Sequence, residues 1–416
     1  QSSGARPQKG VNRAIAEWRV GTGGAASHRA DYVLFVGLEA LAVVEAKRKH
    51  KDVSHALQQA TRYSRGWKAN GDAVAAGGGP WGKEVLHVPF LFASNGRPYL
   101  QQIAEKSGIW FRDGRRDENH GRALEGWYSP EGLVALLKRD IPAANAKLAK
   151  EPTDYLGLRD YQVSAIRAVE EALAKSDDAT TSAGKKQTFL VAMATGTGKT
   201  RTAIGLMYRL IKSKRFRRIL FLVDRTALGE QTRDALENEH IENLQSFAQI
   251  FDVKELKEVR PEPGTKLQIA TVQGMVKRIL FPSDPADTPP VDQYDCIVVD
   301  ECHRGYGLDR EMSESELGFR DLEDCVSKFR RVLDHFDAVK IGLTATPALH
   351  TVQIFGDPTY RYTYTEAVID GHLIDHEAPI RIVTQLAEDG IHWAAGSEVK
   401  TFDQQTQQLD LIHLGD

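Results

Sequence analysis

The chain has 416 residues, of which 41% are hydrophobic and 27% charged, and its formal net charge is −3. This composition is typical of a globular protein, and no apolar run approaches the roughly 18 residues needed to cross a bilayer, which excludes an integral membrane protein. Three cysteines without C-x-x-C spacing exclude a disulfide framework, so we expect a cytoplasmic protein without a membrane partner.

The charges are unevenly distributed along the chain. Residues 1–150 carry 23 Lys and Arg against 14 Asp and Glu, whereas the remaining residues carry 31 and 43. A basic first third indicates contact with a polyanion such as nucleic acid, although an ordinary solvated surface would give the same count.

The first part of the chain is predicted to be α+β. Two short apolar runs, 31–36 and 41–46, are separated by Gly37 and predict a hairpin. A helix is predicted over 54–66 and a further strand over 85–93. An upstream helix is expected to carry Glu17.

The pattern changes after a segment that we interpret as a linker at 146–157. Apolar strand-like runs then alternate with helical segments, which predicts a parallel α/β sheet over 158–378. The five predicted strands are Phe189–Ala192, Ile219–Val223, Leu267–Thr271, Cys296–Val299 and Val339–Leu343. The first domain is expected over 1–145, and 379–416 is expected to begin a connection to a further domain.

A candidate metal site lies on the predicted hairpin. Glu45 and Lys47 are two residues apart and share a face of a strand, and Asp31 on the preceding strand can lie beside them. Two carboxylates, Asp31 and Glu45, can hold Mg²⁺, which activates water, and Lys47 can stabilise the developing charge. Such triplets are also frequent on solvated hairpins. Gln59 and Tyr63 lie one turn apart on the next helix and can border the site.

These residues resemble the PD-(D/E)xK nuclease family, in particular its RecB-like branch with a Q-x-x-x-Y helix. The resemblance implies catalytic roles for Asp31, Glu45, Lys47, Gln59 and Tyr63. Ala30 replaces the proline that is usual in the family. Glu17 is a candidate for the additional acid of some members, or an ordinary surface residue.

A candidate nucleotide site begins with A-T-G-T-G-K-T at 194–200. Gly196 and Gly198 let backbone N–H groups turn toward phosphate oxygens, Lys199 can reach the β- and γ-phosphates, and Thr200 can place its hydroxyl on Mg²⁺. Thr195 and Thr197 belong to the same loop. The generic motif has glycine where this chain has Met193, and a glycine-rich turn without a ligand is the alternative.

A second element of that site is I-V-V-D-E-C-H at 297–303. An apolar strand that ends in two acids places them at the carboxyl edge of a sheet, where ligands bind. Asp300 is expected to hold Mg²⁺ and Glu301 to orient or deprotonate the attacking water. We expect His303 to link this strand to neighbouring elements and Cys302 to be structural.

These segments resemble superfamily 2 helicase motors. Gly342–Pro347 (GLTATP) matches their third motif, and Gln162 would read the adenine edge. Asp224–Gln231 and Ile269–Met275 occur where such motors contact the nucleic-acid backbone. The resemblance implies ATP and Mg²⁺ as cofactors.

The fold class is therefore predicted as α/β, with an α+β PD-(D/E)xK nuclease domain followed by a RecA-like parallel-sheet motor domain. This order resembles the restriction subunit of type I restriction–modification enzymes. The resemblance implies ATP-driven translocation and cleavage of double-stranded DNA, with modification (methyltransferase) and specificity subunits as partners. The chain is expected to be truncated after the first RecA-like domain. Another defence helicase–nuclease and a non-cleaving nucleic-acid remodeller remain alternatives.

Overall fold

The fold is described from a computed structural model of the chain. The structure describes residues 5–21, 28–100, 103–176, 186–223, 236–237, 240–242, 245–255, 261–284, 287–303, 321–375, 398–403 and 408–413. The chain divides into two compact units, Gln1–Leu373 and Ile374–Asp416. Among the described residues, no helix combines the length and apolar character needed to span a membrane.

The amino-terminal part of the first unit is a seven-stranded mixed sheet. Its strands are β1 Asn12–Val20, β2 His28–Val36, β3 Glu39–Ala46, β4 Val74–Ala75, β5 Phe90–Ser94, β6 Ile109–Asp113 and β7 Arg122–Ala123. The order is β1-β2-β3-β5-β6-β7, and β4 pairs with β3. The strands β1, β2 and β3 are antiparallel to one another, whereas β3 and β5 are parallel.

The central strand β3 is buried because its apolar run is covered on both sides. Leu41, Ala42 and Val43 are fully buried, and helix α1, Leu57–Arg65, packs against β3 and β5. The predicted hairpin is confirmed: β2 and β3 pair with Tyr32 opposite Val44. Asp31 precedes Tyr32 and Glu45 follows Val44, so this register places Asp31 and Glu45 side by side at the same end of the two strands.

Two capped helices lead from this sheet to the next one. Helix α2, Pro130–Leu137, is capped by Ser129, and helix α3, Ile141–Lys150, is capped by Asp140. Each cap side chain accepts a hydrogen bond from a first-turn backbone N–H group, which stabilises the helix start. The segment 146–157, which the sequence indicated as a linker, therefore begins with the last residues of helix α3.

The second sheet has seven parallel strands flanked by helices. In chain order, the remaining strands are β8 Thr188–Met193, β9 Ile219–Val223, β10 His240–Glu242, β11 Gln245–Ser246, β12 Val253–Glu255, β13 Leu267–Thr271, β14 Cys296–Val299, β15 Val339–Thr344, β16 Pro358–Tyr362, β17 Glu398–Asp403 and β18 Gln408–His413. The sheet order is β12-β13-β9-β14-β15-β8-β16. β10 pairs with β11, and β17 pairs with β18 in the second unit.

The helices of this part cover both faces of the parallel sheet. They are α4 Asp160–Ser176, α5 Lys199–Lys212, α6 Phe247–Ile250, α7 Val272–Leu280, α8 Asp321–His335, α9 Leu349–Phe355 and α10 Tyr364–Ile369. One buried apolar cluster includes residues of α4 and α5, and another includes residues of α7 and α8. All five predicted strands are confirmed, and the predicted parallel sheet with them.

A buried polar seam joins the two sheets of the first unit. Arg122 of β7 donates from Nε to Asp337 Oδ1 at 2.7 Å, and the Tyr128 hydroxyl donates to the same carboxylate. Ser129 donates from its backbone N–H to Asp292 Oδ1 at 2.7 Å. These contacts are satisfied and buried, so they fix the two sheets against each other.

Candidate active sites

The first candidate site lies beside helix α1, where strand β2 begins and the antiparallel strand β3 ends. Lys47 Nζ contacts the Glu45 carboxylate and donates to Gln59 Oε1 at 3.1 Å. Gln59 Nε2 in turn donates to the Tyr63 hydroxyl at 2.6 Å. Asp31 Oδ2 accepts a hydrogen bond from the Ala46 backbone N–H at 2.7 Å. The five residues singled out from the sequence thus lie together.

Glu45 is the most buried acid of this cluster, with 2% of its surface exposed. Burial raises the pKa of Glu45 above its usual value; hydrogen bonding to Lys47 opposes this, and the Asp31 charge adds to it. Its Oε2 atom is buried without a hydrogen-bond partner among the described residues. An orphaned buried carboxylate oxygen is costly unless a cation meets it, so the site fits a divalent metal ion.

The donor set of this cluster is limited to two carboxylates. No group of three or more His, Cys, Asp or Glu side chains within the described part of the chain is arranged to hold a metal ion. Oxygen ligands from two carboxylates suit Mg²⁺, which keeps several waters and binds substrate phosphates.

A cavity of about 530 Å³ adjoins Lys47. Tyr32, Asn95 and Trp127 also line it, and Trp127 is 42% exposed while its ring packs 5.2 Å from that of Phe92. Sequence reasoning missed this aromatic wall, because residues 126–128 carry no local pattern that relates them to the hairpin.

The expectation of a helix at Glu17 was wrong. Glu17 lies in strand β1, where its neighbours Ala16 and Trp18 pair with Tyr32 and Ala30 of β2. Its φ angle of 53° is positive, and its exposed carboxylate binds Arg29 at 2.6 Å. The short alternation of apolar and polar residues in 12–20 is a strand pattern that was misread as helical.

The second candidate site lies at the carboxyl edge of the parallel sheet. The loop 194–198 connects β8 to α5, with Gly196 and Gly198 at φ angles of 84° and 77°. These left-handed conformations favour glycine and turn backbone N–H groups inward. The predicted strand–loop–helix arrangement is therefore confirmed.

Strand β14 ends directly opposite this loop. Thr200 Oγ1 donates to Asp300 Oδ2 at 3.2 Å, and Lys199 Nζ lies 3.3 Å from Glu301 Oε1. Burial raises the pKa of Asp300 above its usual value, and the neighbouring Glu301 charge raises it further. A threonine hydroxyl that contacts a buried aspartate, beside a lysine, fits a nucleotide-bound Mg²⁺ ion.

Gln162 holds the loop rather than projecting away from it. Its Oε1 accepts from the Arg159 backbone N–H at 3.0 Å, and its Nε2 donates to the Thr197 carbonyl oxygen at 3.0 Å. Thr197 is buried and donates from Oγ1 to the Ala194 carbonyl oxygen at 2.6 Å. The exposed Thr195 lines a cavity of about 410 Å³ beside the loop.

The third motif contacts the strand end as expected. His303 Nδ1 lies 2.9 Å from Thr344 Oγ1 and 3.3 Å from Glu301 Oε2. Cys302 is fully buried, and burial raises the pKa of its thiol, which agrees with a structural role. The His303 side chain therefore connects Glu301 to the segment 342–347.

Two segments were predicted to contact the nucleic-acid backbone, and this remains a prediction for both. Asp224–Gln231 lies outside the described residues. Ile269–Met275 spans the end of β13 and the start of α7, where Thr271 Oγ1 accepts from the Gly274 backbone N–H at 3.1 Å. Most of 379–416 also lies outside the described residues.

Two family models match the chain. Residues 1–137 match the model described as the second domain of the type I restriction enzyme EcoKI endonuclease subunit. Residues 155–349 match the model described as the res subunit of type III restriction enzymes.

Several curated relatives are similar over most of the chain. The EcoKI endonuclease subunit of Escherichia coli (strain K12) is 49% identical over 98% of this chain and 36% of its own length. The EcoAI endonuclease subunit of Escherichia coli is 31% identical over 82% of this chain and 36% of its own length. The chain thus spans about a third of the length of the curated relatives it matches.

A solved fragment assigned to an HsdR subunit of a type I restriction enzyme from Vibrio vulnificus YJ016 is 24% identical. The structural alignment covers 88% of this chain and 56% of the Vibrio vulnificus chain, with a TM-score of 0.35.

Proposed function

Because the chain belongs to the family of type I restriction enzyme endonuclease subunits, we propose that it joins a DNA-cleaving site to part of an ATP-driven DNA motor. The substrate is unmodified foreign double-stranded DNA. Cleavage takes place at the cluster around Glu45, and ATP binds at the loop that carries Lys199. In this proposal the nuclease domain spans 1–145 and has the PD-(D/E)xK fold, and the RecA-like motor domain spans 158–378.

The observation that carries the cleavage proposal is the buried Glu45 Oε2 atom without a partner. A protein that only binds DNA has no use for a desolvated acid, since it adds negative charge beside a phosphate. A metal-dependent nuclease needs that acid, because a metal ion requires a carboxylate ligand at the phosphate.

At the cleavage site, Asp31 and Glu45 would hold Mg²⁺. The bound ion supplies a water of lowered pKa and neutralises charge on the phosphate. Lys47, whose ammonium group is held by Glu45 and Gln59, would contact the phosphate oxygens and stabilise the charge that develops there. Tyr63 fixes the Gln59 amide, and so acts on Lys47 through Gln59.

At the motor site, the loop 195–200 would bind the phosphates of ATP. Thr200 and Asp300 would hold Mg²⁺, and Lys199 neutralises the terminal phosphates. Glu301 accepts a proton from, or orients, the attacking water. Gln162 keeps the loop closed through the Thr197 carbonyl group, and from the same position it would contact the adenine edge.

The partners follow from the family. We propose that modification and specificity subunits join this protein, and that the specificity subunit reads the target sequence. The basic balance of 1–150 supports contact with the DNA backbone beside the cleavage site.

The test is cleavage of unmodified plasmid DNA by the chain as part of its complete subunit, assembled with its modification and specificity subunits. Lys47→Ala should abolish Mg²⁺-dependent cutting and leave ATP hydrolysis intact. Lys199→Ala should abolish ATP hydrolysis. The matched control is Lys68→Ala, because Lys68 is exposed and belongs to neither cluster.

The opposite result would support the alternative of a remodeller without nuclease activity. If the wild-type complex hydrolyses ATP on DNA but never cuts it, the cleavage proposal is wrong. If Lys47→Ala cuts as well as the control, another group performs the cleavage.

A further inference from the structure

The cavity beside Lys47 has features that metal-dependent cleavage alone does not use. Its volume of about 530 Å³ lies within the range of pockets that bind small organic ligands. Three aromatic rings line it, those of Tyr32, Trp127 and Tyr128. Three of its other lining residues have little or no side chain, namely Ala14, Ala46 and Gly96.

The cavity and the acid cluster lie on opposite faces of the first sheet and meet at Lys47. Successive strand residues point to opposite faces, so Val44 and Ala46, which line the cavity, point away from the face that carries Glu45. Lys47 follows the last residue of β3, and it lines the cavity while its ammonium group contacts Glu45. A ligand at this end of the sheet can therefore contact both the acid cluster and the cavity.

Trp127 presents an aromatic surface to this cavity. The residue is 42% exposed, although its ring centroid lies 5.2 Å from that of the buried Phe92. The next residue, Tyr128, is anchored through its hydroxyl to Asp337. A large ring that is packed on one side and exposed on the other offers a surface on which a flat ring can stack.

The turn that follows Lys47 is basic and exposed. Residues 48–51 read Arg-Lys-His-Lys, all four are exposed, and none of them forms an ion pair with another described residue. The turn is attached to the cavity wall, because Asn95 lines the cavity and donates from Nδ2 to the Lys51 carbonyl oxygen at 2.6 Å. Positive charge without a protein counterion is thus held beside the aromatic cavity, which favours a polyanion there.

A single strand of nucleic acid matches both parts of this surface. Its phosphates complement the basic turn, and its bases are flat rings that stack on aromatic side chains. A base inside a duplex is covered by its neighbours on both faces, so it has to leave the stack before it can enter a protein cavity.

We propose that this cavity binds a base of an unpaired DNA strand, stacked on Trp127, while the phosphates of that strand lie along residues 48–51. The inference deepens the proposed cleavage function and rests on it in one respect, since Lys47 is taken as the group at the cleaved phosphate. Cleavage then requires that one base beside the cut is displaced from the duplex.

The first experiment is photocrosslinking of the purified chain to a single-stranded oligodeoxynucleotide that carries 5-iodouracil in place of thymine. EDTA is present and nucleotide is omitted, so the result does not depend on cleavage or on ATP. Irradiation joins iodouracil to an aromatic side chain that it contacts, and mass spectrometry of the digested chain should locate the product at Trp127 or Tyr32. Crosslinks found only outside the cavity lining would overturn the proposal.

The second experiment measures the affinity of the chain for a labelled oligothymidylate by fluorescence anisotropy. Trp127→Ala should weaken this binding about fivefold or more, because the stacking contact is lost, and Trp127→Phe should keep most of it. Binding of a duplex of the same length should not change in Trp127→Ala. Arg48→Ala combined with Lys49→Ala should weaken single-strand binding and reduce its salt dependence, because fewer counterions are released.

Two matched controls should bind the single strand like wild type. Phe281→Ala removes a ring that is 67% exposed and lines no part of this cavity, and Lys68→Ala removes an exposed charge elsewhere. Thermal unfolding followed by circular dichroism checks that each variant is folded. Should Trp127→Ala fail to fold, Ala14→Leu tests the same prediction by narrowing the cavity from an exposed position.

The proposal is also overturned if folded Trp127→Ala binds the single strand as tightly as Phe281→Ala, or if it loses as much affinity for the duplex. Failure of the cleavage function gives a different result. If the assembled complex never cuts DNA but the crosslink forms at Trp127, the cleavage proposal is wrong and the strand-binding cavity stands. Normal cutting together with crosslinks only outside the cavity leaves cleavage intact and refutes the cavity.

Discussion

Arg122 and Asp337 lie 215 residues apart in the chain and form a buried ion pair between the two sheets. Their side chains are 6% and 3% exposed. Burial acts to raise the pKa of Asp337, but Arg122 and Lys186 together hold it well below its usual range.

Asp337→Asn should therefore destabilise the first unit. Breaking a buried ion pair leaves Arg122 uncompensated, and such changes cost about 3–5 kcal/mol. Urea unfolding followed by fluorescence measures the loss. The control is Lys175→Ala, which removes an exposed pair with Glu171 and should change the free energy of unfolding by less than about 0.5 kcal/mol. Equal effects of the two changes would contradict a stabilising seam.

The same pair predicts a pH dependence. The folded-state pKa of Asp337 is lowered, so its contribution is complete above the unfolded-state value of about 3.9 and is lost as the pH falls below it. The difference in unfolding free energy between wild type and Asp337→Asn should be constant from about pH 5 to 7 and shrink below about pH 4. If the difference in unfolding free energy instead grows as the pH falls, the folded-state pKa of Asp337 is not lowered.

Glu45→Gln should separate folding from cleavage. The change removes a desolvated negative charge, so the metal-free variant should unfold at no lower a temperature than wild type. Mg²⁺ should raise the unfolding temperature of wild type but not of the variant. Cleavage by the assembled complex should fall at least about 100-fold, because a metal ligand is lost. A variant that still cuts normally would exclude Glu45 as a ligand.

Gln162→Ala should weaken nucleotide binding without removing a phosphate contact. The side chain connects Arg159 to the Thr197 carbonyl group, and losing two hydrogen bonds of about 1 kcal/mol each should lower affinity roughly tenfold or more. Titration with a fluorescent ATP analogue measures this. Gln58→Ala, an exposed glutamine, should bind like wild type. Unchanged affinity in Gln162→Ala would mean that the loop closes without this side chain.

Much of the parallel sheet could be predicted because its central strands are continuous apolar runs. Ile219–Val223 and Cys296–Val299 contain only apolar residues and are buried along their whole length, so composition alone predicts them as buried strands. The edge strands Val253–Glu255 and Pro358–Tyr362 were missed, since polar residues interrupt them and only pairing with a neighbour makes them strands.

The candidate sites followed a similar rule. Glu45 and Lys47, or Lys199 and Thr200, are close in sequence, and local geometry sets their mutual position. The seam residues Arg122 and Asp337 meet only through the complete fold, so no spacing pattern could indicate them. Gln162 likewise holds the loop through the carbonyl oxygen of Thr197, which lies 35 residues away in the chain, so local spacing could not indicate this contact.

The aromatic pair Trp127–Tyr128 has a mechanical consequence. Trp127 lines the cavity beside Lys47, whereas the Tyr128 hydroxyl is tied to Asp337, which comes just before strand β15. A single peptide unit therefore separates the wall of that cavity from an anchor on the parallel sheet. A displacement of Asp337 together with the parallel sheet would therefore move Tyr128 and, through one peptide bond, the Trp127 side of the cavity.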